Sequence, residues 1–161
     1  MLIAILSDIN DNIWNLEKAL PQLEKAEALL FCGDFCAPFT LKMMAEGFSG
    51  PVHCVFGNND GDALFLSRIA RQAGNVTLYS QMGELELGSK RIAFIHYPDI
   101  ASGLAASGKY DAVFSGHTHE YRMEKIGPTL WADPGEVMGR FGQPSFGLYD
   151  TASGEFTLCA I

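Results

Sequence analysis

Five short apolar runs, at residues 2–6, 28–32, 52–56, 92–95 and 112–114, each stop abruptly at polar side chains with oxygen or imidazole donors. Each run has the length of a strand and is continuous rather than alternating, as strands buried on both faces are. Burial on both faces requires cover on both, so the runs point to a layered α/β domain.

The stretches between them supply the cover. Ile13, Leu16, Leu20 and Leu23 recur at three- and four-residue steps after Asp11 or Asn12, either of which suits a helix N-cap. Pro21 should kink or end that helix. Residues 38–46 begin with a proline suited to a first turn and stop at Gly47. Residues 62–73 stop at Gly74, and residues 99–106 form a weaker helical stretch interrupted by Gly103. Around Met82 and again after His119 the pattern alternates instead, as in Glu84-Leu85-Glu86-Leu87. Residues 145–149, the turn 150–154 and residues 155–161 read as a hairpin. The expected architecture is a series of βαβα units, then a predominantly antiparallel second sheet packed on the first. Helices lie outside, and a single domain spans residues 1–161.

Charge narrows the partners. A formal net charge of −8 argues against non-specific binding to DNA, RNA or an anionic membrane, which runs on Lys and Arg. No apolar run reaches the length of a membrane span, and the apolar start lacks a basic leader and a cleavage site. Cys32, Cys36, Cys54 and Cys159 are expected as reduced, mostly buried thiols of a cytoplasmic protein. Cys32 and Cys36 have no second Cys/His pair to complete a zinc knuckle.

The five polar ends carry the functional signal. Asp8 and Asn10 follow the first run, Asp34 the second, Asn58 the third, His96 the fourth, and His117 with His119 the fifth. Ligands of α/β sheets gather beyond the carboxyl ends of the strands, so neighbouring parallel strands would bring these donors to one rim. Two Asp, two Asn and three His exceed the needs of one ion. The set suits two transition-metal ions, with Mn, Fe or Zn more natural than Ca or Mg. Such ions would also provide the positive charge that an anionic substrate needs. Gly33, Gly57 and Gly116 stand just before Asp34, Asn58 and His117, where the backbone must turn sharply. A lone Asp after a strand is usually a helix cap, and a lone His usually a hydrogen-bonded residue; His53 is read that way. The coincidence of five strand ends points beyond such readings, to a binuclear site. No Gly-x-Gly-x-x-Gly follows any strand, which excludes a dinucleotide-binding domain.

At these residues the chain resembles the calcineurin-like metallophosphoesterases, in particular the small single-domain phosphodiesterases of bacteria and archaea. The motifs stand as Asp8-Ile9-Asn10, Gly33-Asp34, Gly57-Asn58-Asn59-Asp60, His96, Gly116-His117-Thr118-His119 and Asp133-Pro134-Gly135-Glu136. They run in order from residue 7 to about residue 136. The resemblance implies a four-layer αββα sandwich of two mixed β-sheets. It implies that Asp8, Asn10 and His119 hold one metal, that Asn58, His96 and His117 hold the other, and that Asp34 bridges them. The implied activity is hydrolysis of a small phosphodiester by a hydroxide bridging two divalent ions, Mn first, with Fe, Zn or Ni also accepted. Asn58, His117 and Asp60 form the implied catalytic set, and a homo-oligomer is an open possibility.

Three residues depart from the family pattern. Asn10 stands in place of histidine, and its amide oxygen, a weaker and harder donor than imidazole, favours Mn over Zn at the first site. Tyr97 replaces a glycine and should narrow the space over the second metal. Asp11 replaces another glycine and adds negative charge beside the site. In addition, Asn59 stands where larger relatives place a histidine that protonates the leaving group, and an amide is no general acid. Good leaving groups and diesters should therefore be preferred to alkyl monoesters. Phe141, Trp131, Tyr121 and Tyr97 are either pocket-lining or core aromatics, and Arg140 either contacts phosphate or lies solvated. The alternative is a non-catalytic or weakly active interaction module, as the retromer subunit of this fold is, with a partly degraded site. Six of the seven ligand positions keep the expected residue type, which a scaffold does not require.

Overall fold

The computed structural model describes residues 1–161. In chain order its first half runs β1 (Leu2–Leu6), α1 (Ile13–Ala19), β2 (Ala28–Phe31), α2 (Pro38–Gly47), β3 (Val52–Cys54), α3 (Ala63–Ala73) and β4 (Val76–Leu78). Then follow β5 (Met82–Leu87), β6 (Lys90–Ile95), α4 (Pro98–Ala106) and β7 (Ala112–Phe114). The chain ends with β8 (Tyr121–Ile126), β9 (Thr129–Pro134), β10 (Ser145–Asp150) and β11 (Glu155–Ala160).

The period of two in a strand explains the continuous apolar runs. In β1, Ala4 and Leu6 face Leu16, Leu41, Met44 and Leu66 of the three helices on one side. Ile3 and Ile5 face Ile92, Phe94, Ala112 and Phe114 of the other sheet. On the far side of that second sheet, Ala93, Ile95, Val113 and Trp131 pack against Ala101 and Ala105 of α4. The layers are therefore helix, sheet, sheet, helix, as the resemblance implied.

The first sheet has the order β11-β10-β1-β2-β3-β4, with β1 to β4 parallel and the β10–β11 hairpin antiparallel. The second has the order β5-β6-β7-β9-β8. Two features correct the sequence reading. The five apolar runs do not share one sheet: β1, β2 and β3 lie in the first, β6 and β7 in the second. Nor is the second sheet predominantly antiparallel, because β6–β7 and β7–β9 pair in parallel. For β6–β7 the cause is α4, which carries the chain back over the sheet as parallel strands need; for β7–β9 it is β8, which runs antiparallel to β9 along the outer edge and so returns the chain in the direction of β7. Pro21 acts as expected: α1 stops at Ala19 and Leu20–Leu23 continue as a 3₁₀ turn. No helix is long and apolar enough to cross a membrane.

Candidate metal centre

The C-terminal ends of β1, β2 and β3 meet those of β6 and β7, so the donors gather where the rims of two stacked sheets face each other. The loops are stitched by main-chain bonds: Asp8 N–H to Gly33 O (3.0 Å), Asn10 N–H to Asp34 O (2.9 Å) and Gly116 N–H to His96 O (3.1 Å). A bond between the sheets runs from the His117 N–H to Asp8 Oδ2, at 3.0 Å. Five donor residues hold positive φ angles: Asp8 (54°), Asn10 (45°), Asp34 (65°), His117 (76°) and His119 (62°). Each such angle costs about 1–3 kcal/mol in a non-glycine residue and persists only where the surroundings over-determine it. Two glycines make the crowding possible. A Cβ at Gly57 would collide with the Asp34 carboxylate, and one at Gly116 with the Ser7 hydroxyl.

The donor atoms are arranged for a cation. His96 is fully buried and its Nδ1 lies 2.8 Å from the Cys32 carbonyl, which accepts only a protonated nitrogen. A neutral ring then presents an Nε2 lone pair. That atom lies 2.9 Å from Asn58 Oδ1, 3.2 Å from His117 Nδ1 and 3.6 Å from Asp34 Oδ2. So many electron pairs facing one another repel unless a proton or a cation sits among them. Ligands of a common transition metal stand roughly 3–3.5 Å apart, given bonds of about 2.0–2.2 Å. Oxygens of Asp8 and Asp34 and a nitrogen of His96 all lie within 4.8 Å of one another. On the other side, His119 Nε2 lies 3.6 Å from Asp8 Oδ1, a buried oxygen with no hydrogen-bond partner. Asn10 Nδ2 is also buried without a partner, while its Oδ1 takes weak contacts from Cys36 Sγ (3.5 Å) and Asn59 Nδ2 (3.4 Å). The residues present fit metal ions.

Second contacts explain how the donors are held, and several were not legible in sequence. Asn59 clamps Asp34 twice, through its N–H to Oδ1 (2.9 Å) and its Nδ2 to Oδ2 (2.6 Å). Glu136 is buried, with Oε2 at 2.6 Å from His119 Nδ1 and Oε1 accepting the Phe141 and Gly142 N–H groups at 2.6 and 3.0 Å. Fixing Nδ1 as the protonated nitrogen aims the Nε2 lone pair at the site, a usual arrangement behind metal-binding histidines. The only sequence signal for Glu136 was its place in Asp133-Pro134-Gly135-Glu136. Asp60 has both oxygens on main-chain N–H groups, those of Asp34 (3.0 Å), Gly57 (2.7 Å) and Cys36 (2.7 Å). Asp11 turns towards α2, where its Oδ1 accepts the Ala37 N–H (2.9 Å) and the Thr40 hydroxyl (2.6 Å). Its charge thus sits at a helix N-terminus and is partly offset there.

The aromatic residues divide. Tyr97 sets its ring edge-on to His96 and His117, at centroid distances of 5.2 and 5.4 Å. Trp131 belongs to the core, its Nε1 donating to Ser115 Oγ at 3.0 Å. Phe141 lies edge-on to His119 at 5.1 Å. Arg140 is exposed, its guanidinium 5.4 Å from the Phe141 ring centre. His53 is paired with the Tyr79 hydroxyl at 3.1 Å, away from the donor set.

Burial holds the carboxyl groups of Asp8 and Asp133 above the ordinary 3.8, most strongly for Asp133, and the Asp8 charge raises Asp133 further. Such groups bind protons more tightly in the folded chain than in the unfolded one. Stability then falls as pH rises above about 4. The lowered carboxyls of Glu84, hydrogen-bonded by the Arg91 side chain, and Asp111, hydrogen-bonded by the Arg91 N–H, lose stability only on the acid side of the ordinary value. His53 works in the opposite sense, because burial lowers its imidazole below the ordinary 6.5 and its share of stability is lost as pH falls through that value.

An αββα sandwich with Asp, Asn and His donors at its joined rims is the framework of a phosphoesterase class, and the comparisons agree. The model for the calcineurin-like phosphoesterase superfamily domain matches residues 1–154, and the chain belongs to that superfamily. A phosphodiesterase of Methanocaldococcus jannaschii is 30% identical over 161 residues, covering 97% of this chain and 96% of its own. Among solved structures, a novel archaeal phosphodiesterase is similar at a TM-score of 0.93 and 28% identity, over the full length of both chains. Vps29 of Entamoeba histolytica, solved with zinc, shares the fold at a TM-score of 0.71 and 18% identity, over 98% of this chain and 90% of its own.

Proposed function

We propose that the chain is a metal-dependent phosphodiesterase acting on small phosphodiesters. Its centre holds two divalent cations on Asp8, Asn10, Asp34, Asn58, His96, His117 and His119. The observation that carries the reading is the convergence of Asn58 Oδ1, His117 Nδ1 and Asp34 Oδ2 on the His96 Nε2 lone pair, beside the unpartnered Asp8 Oδ1. The 30% identical phosphodiesterase supports the substrate class. Oxygen and imidazole donors with an amide at position 10 favour Mn, with Fe, Zn or Ni as alternatives. Bound cations of this kind acidify a water held between them and polarise phosphoryl oxygens.

The chain's own groups do the rest. Asp34 supplies the anion between the two halves of the donor set, held by Asn59. Asn58 turns its oxygen to His96 and leaves its Nδ2 without a protein partner, so that it can donate to a phosphoryl oxygen as charge builds there. His117 lies against the same group and shares that role. Asp60 acts by position, joining the loops after β2 and β3 through main-chain N–H groups. Asn59 provides no acid for the leaving oxygen, and its amide is already engaged with Asp34. Four free thiols suit a reducing, cytoplasmic setting. A purely scaffolding role would leave Asp8 Oδ1 buried and unsatisfied for no return, and buried unpaired acceptors are disfavoured.

With Mn²⁺, an aryl diester should be turned over about 10²-fold or more faster than an alkyl monoester, because a general acid is missing. His117→Ala should lower diester turnover by about 10²–10³-fold. A strong monoester preference refutes the leaving-group argument, and a wild type with neither metal nor turnover refutes the enzyme.

A further inference from the structure

A cleft of about 690 Å³ opens beside His119, between Tyr121 at the start of β8 and Leu158 on β11, with Phe141 as its outer wall. Both strands are sheet edges, so the cleft runs out between the two sheets from the donor set. We infer that this cleft is the subsite for one of the two ester groups of the diester, and that it takes a neutral aromatic group. The inference rests on the phosphodiesterase reading above and deepens it.

Three observations carry it. The first is continuity. One imidazole borders both spaces, since His119 turns Nε2 towards Asp8 and sets its ring edge-on to Phe141. The buried Glu136 carboxylate fastens both, holding His119 Nδ1 with one oxygen and the Phe141 and Gly142 N–H groups with the other. The wall therefore keeps a fixed place relative to the centre.

The second is exposed apolar surface in a concave setting. Phe141 is 69% exposed, Tyr121 45% and Leu158 40%. Tyr121 lies parallel to the buried Phe156 ring at 6.5 Å, and apolar groups lining a hollow next to a reactive centre mark a ligand site. The third is charge. No Lys or Arg lines the cleft, whereas Glu120 does. Glu120 disfavours a second phosphate or a carboxylate in the cleft and leaves an uncharged ring unopposed, the nearest guanidinium being that of Arg140, 5.4 Å from the Phe141 ring centre. The volume falls within the range of small-molecule sites, roughly 300–1,000 Å³, and a methyl group would leave it almost empty.

Two diesters with the same 4-nitrophenolate leaving group and different second groups, 1-naphthyl or methyl, separate the possibilities. The wild type should prefer the naphthyl ester by about tenfold in kcat/KM, mainly through KM. Leu158→Trp, which fills the cleft, and Phe141→Ser, which removes its wall, should each bring that ratio to within about twofold of one. Melting curves establish that both variants are folded. Equal use of the two esters by the wild type, or a preference retained in both variants, overturns the subsite. If neither ester is cleaved, the phosphodiesterase reading fails, and a titration with 1-naphthol followed by its fluorescence decides on the cleft alone. Binding by the wild type that Leu158→Trp abolishes upholds the cleft as an aromatic site; no binding overturns it.

Discussion

Asp34→Asn should lower kcat/KM for an aryl diester by roughly 10³-fold while leaving the fold intact. Asparagine tolerates the left-handed backbone of position 34, where φ is 65°, so the variant changes charge and not shape. An asparagine has one oxygen for the two Asn59 donors, so either the Asn59 N–H or its Nδ2, which met a carboxylate at 2.9 and 2.6 Å, now faces an NH₂ group. The larger loss is the anion itself. Asp34 is 1% exposed, and its Oδ2 is 3.6 Å from His96 Nε2, so its charge acts on the centre with little screening by water. Steady-state kinetics with circular dichroism check the prediction. Activity within a few fold of wild type would mean that Asp34 does not join the two halves of the site.

Glu136→Gln should weaken metal binding at the Asp8–His119 side by about 10–100-fold. Glutamate serves three donors at once, with His119 Nδ1–H on one oxygen and the Phe141 and Gly142 N–H groups on the other. A glutamine has one oxygen for these two places, and its NH₂ must face a donor in the other. Either His119 loses the contact that keeps its Nε2 lone pair directed at Asp8, or the wall at Phe141 loosens. The anionic partner matters more here because Asn10 is a weak donor, and Asn10→His should shift affinity in the opposite direction. Titration calorimetry with Mn²⁺ on both variants reads the two effects. An unchanged affinity in Glu136→Gln would reduce Glu136 to a loop fastening, and in Asn10→His it would show that Asn10 is not a ligand.

The parts of the fold that were legible in the sequence are those that depend on local pattern. The runs of β1, β2, β3, β6 and β7, the break at Pro21 and the β10–β11 hairpin all follow from period, proline chemistry and turn residues. β8 was signalled only by the alternation after His119, whose apolar positions do not mark a buried face because β8 is an edge strand with Tyr121 to Lys125 exposed. β4 is only three residues long. A continuous apolar run says that both faces are covered without saying by what, so the division of the five runs between two sheets could not be read.

The same limit applies at the site. The seven donors were visible because each follows a strand. Asn59, Glu136 and Asp11 act through partners 17 to 29 positions away, and nothing in their neighbours announces it. Asp11 is an example: its negative charge beside the site was legible, but its hold on the start of α2 was not.

Counting cations tests the whole account most directly. Metal-free protein titrated with Mn²⁺, followed by calorimetry and by the magnetic coupling between neighbouring ions, should take up two per chain, and the coupling should vanish in Asp34→Asn. Uptake of a single isolated ion, or of none, would mean that the donors from the two rims do not enclose a pair.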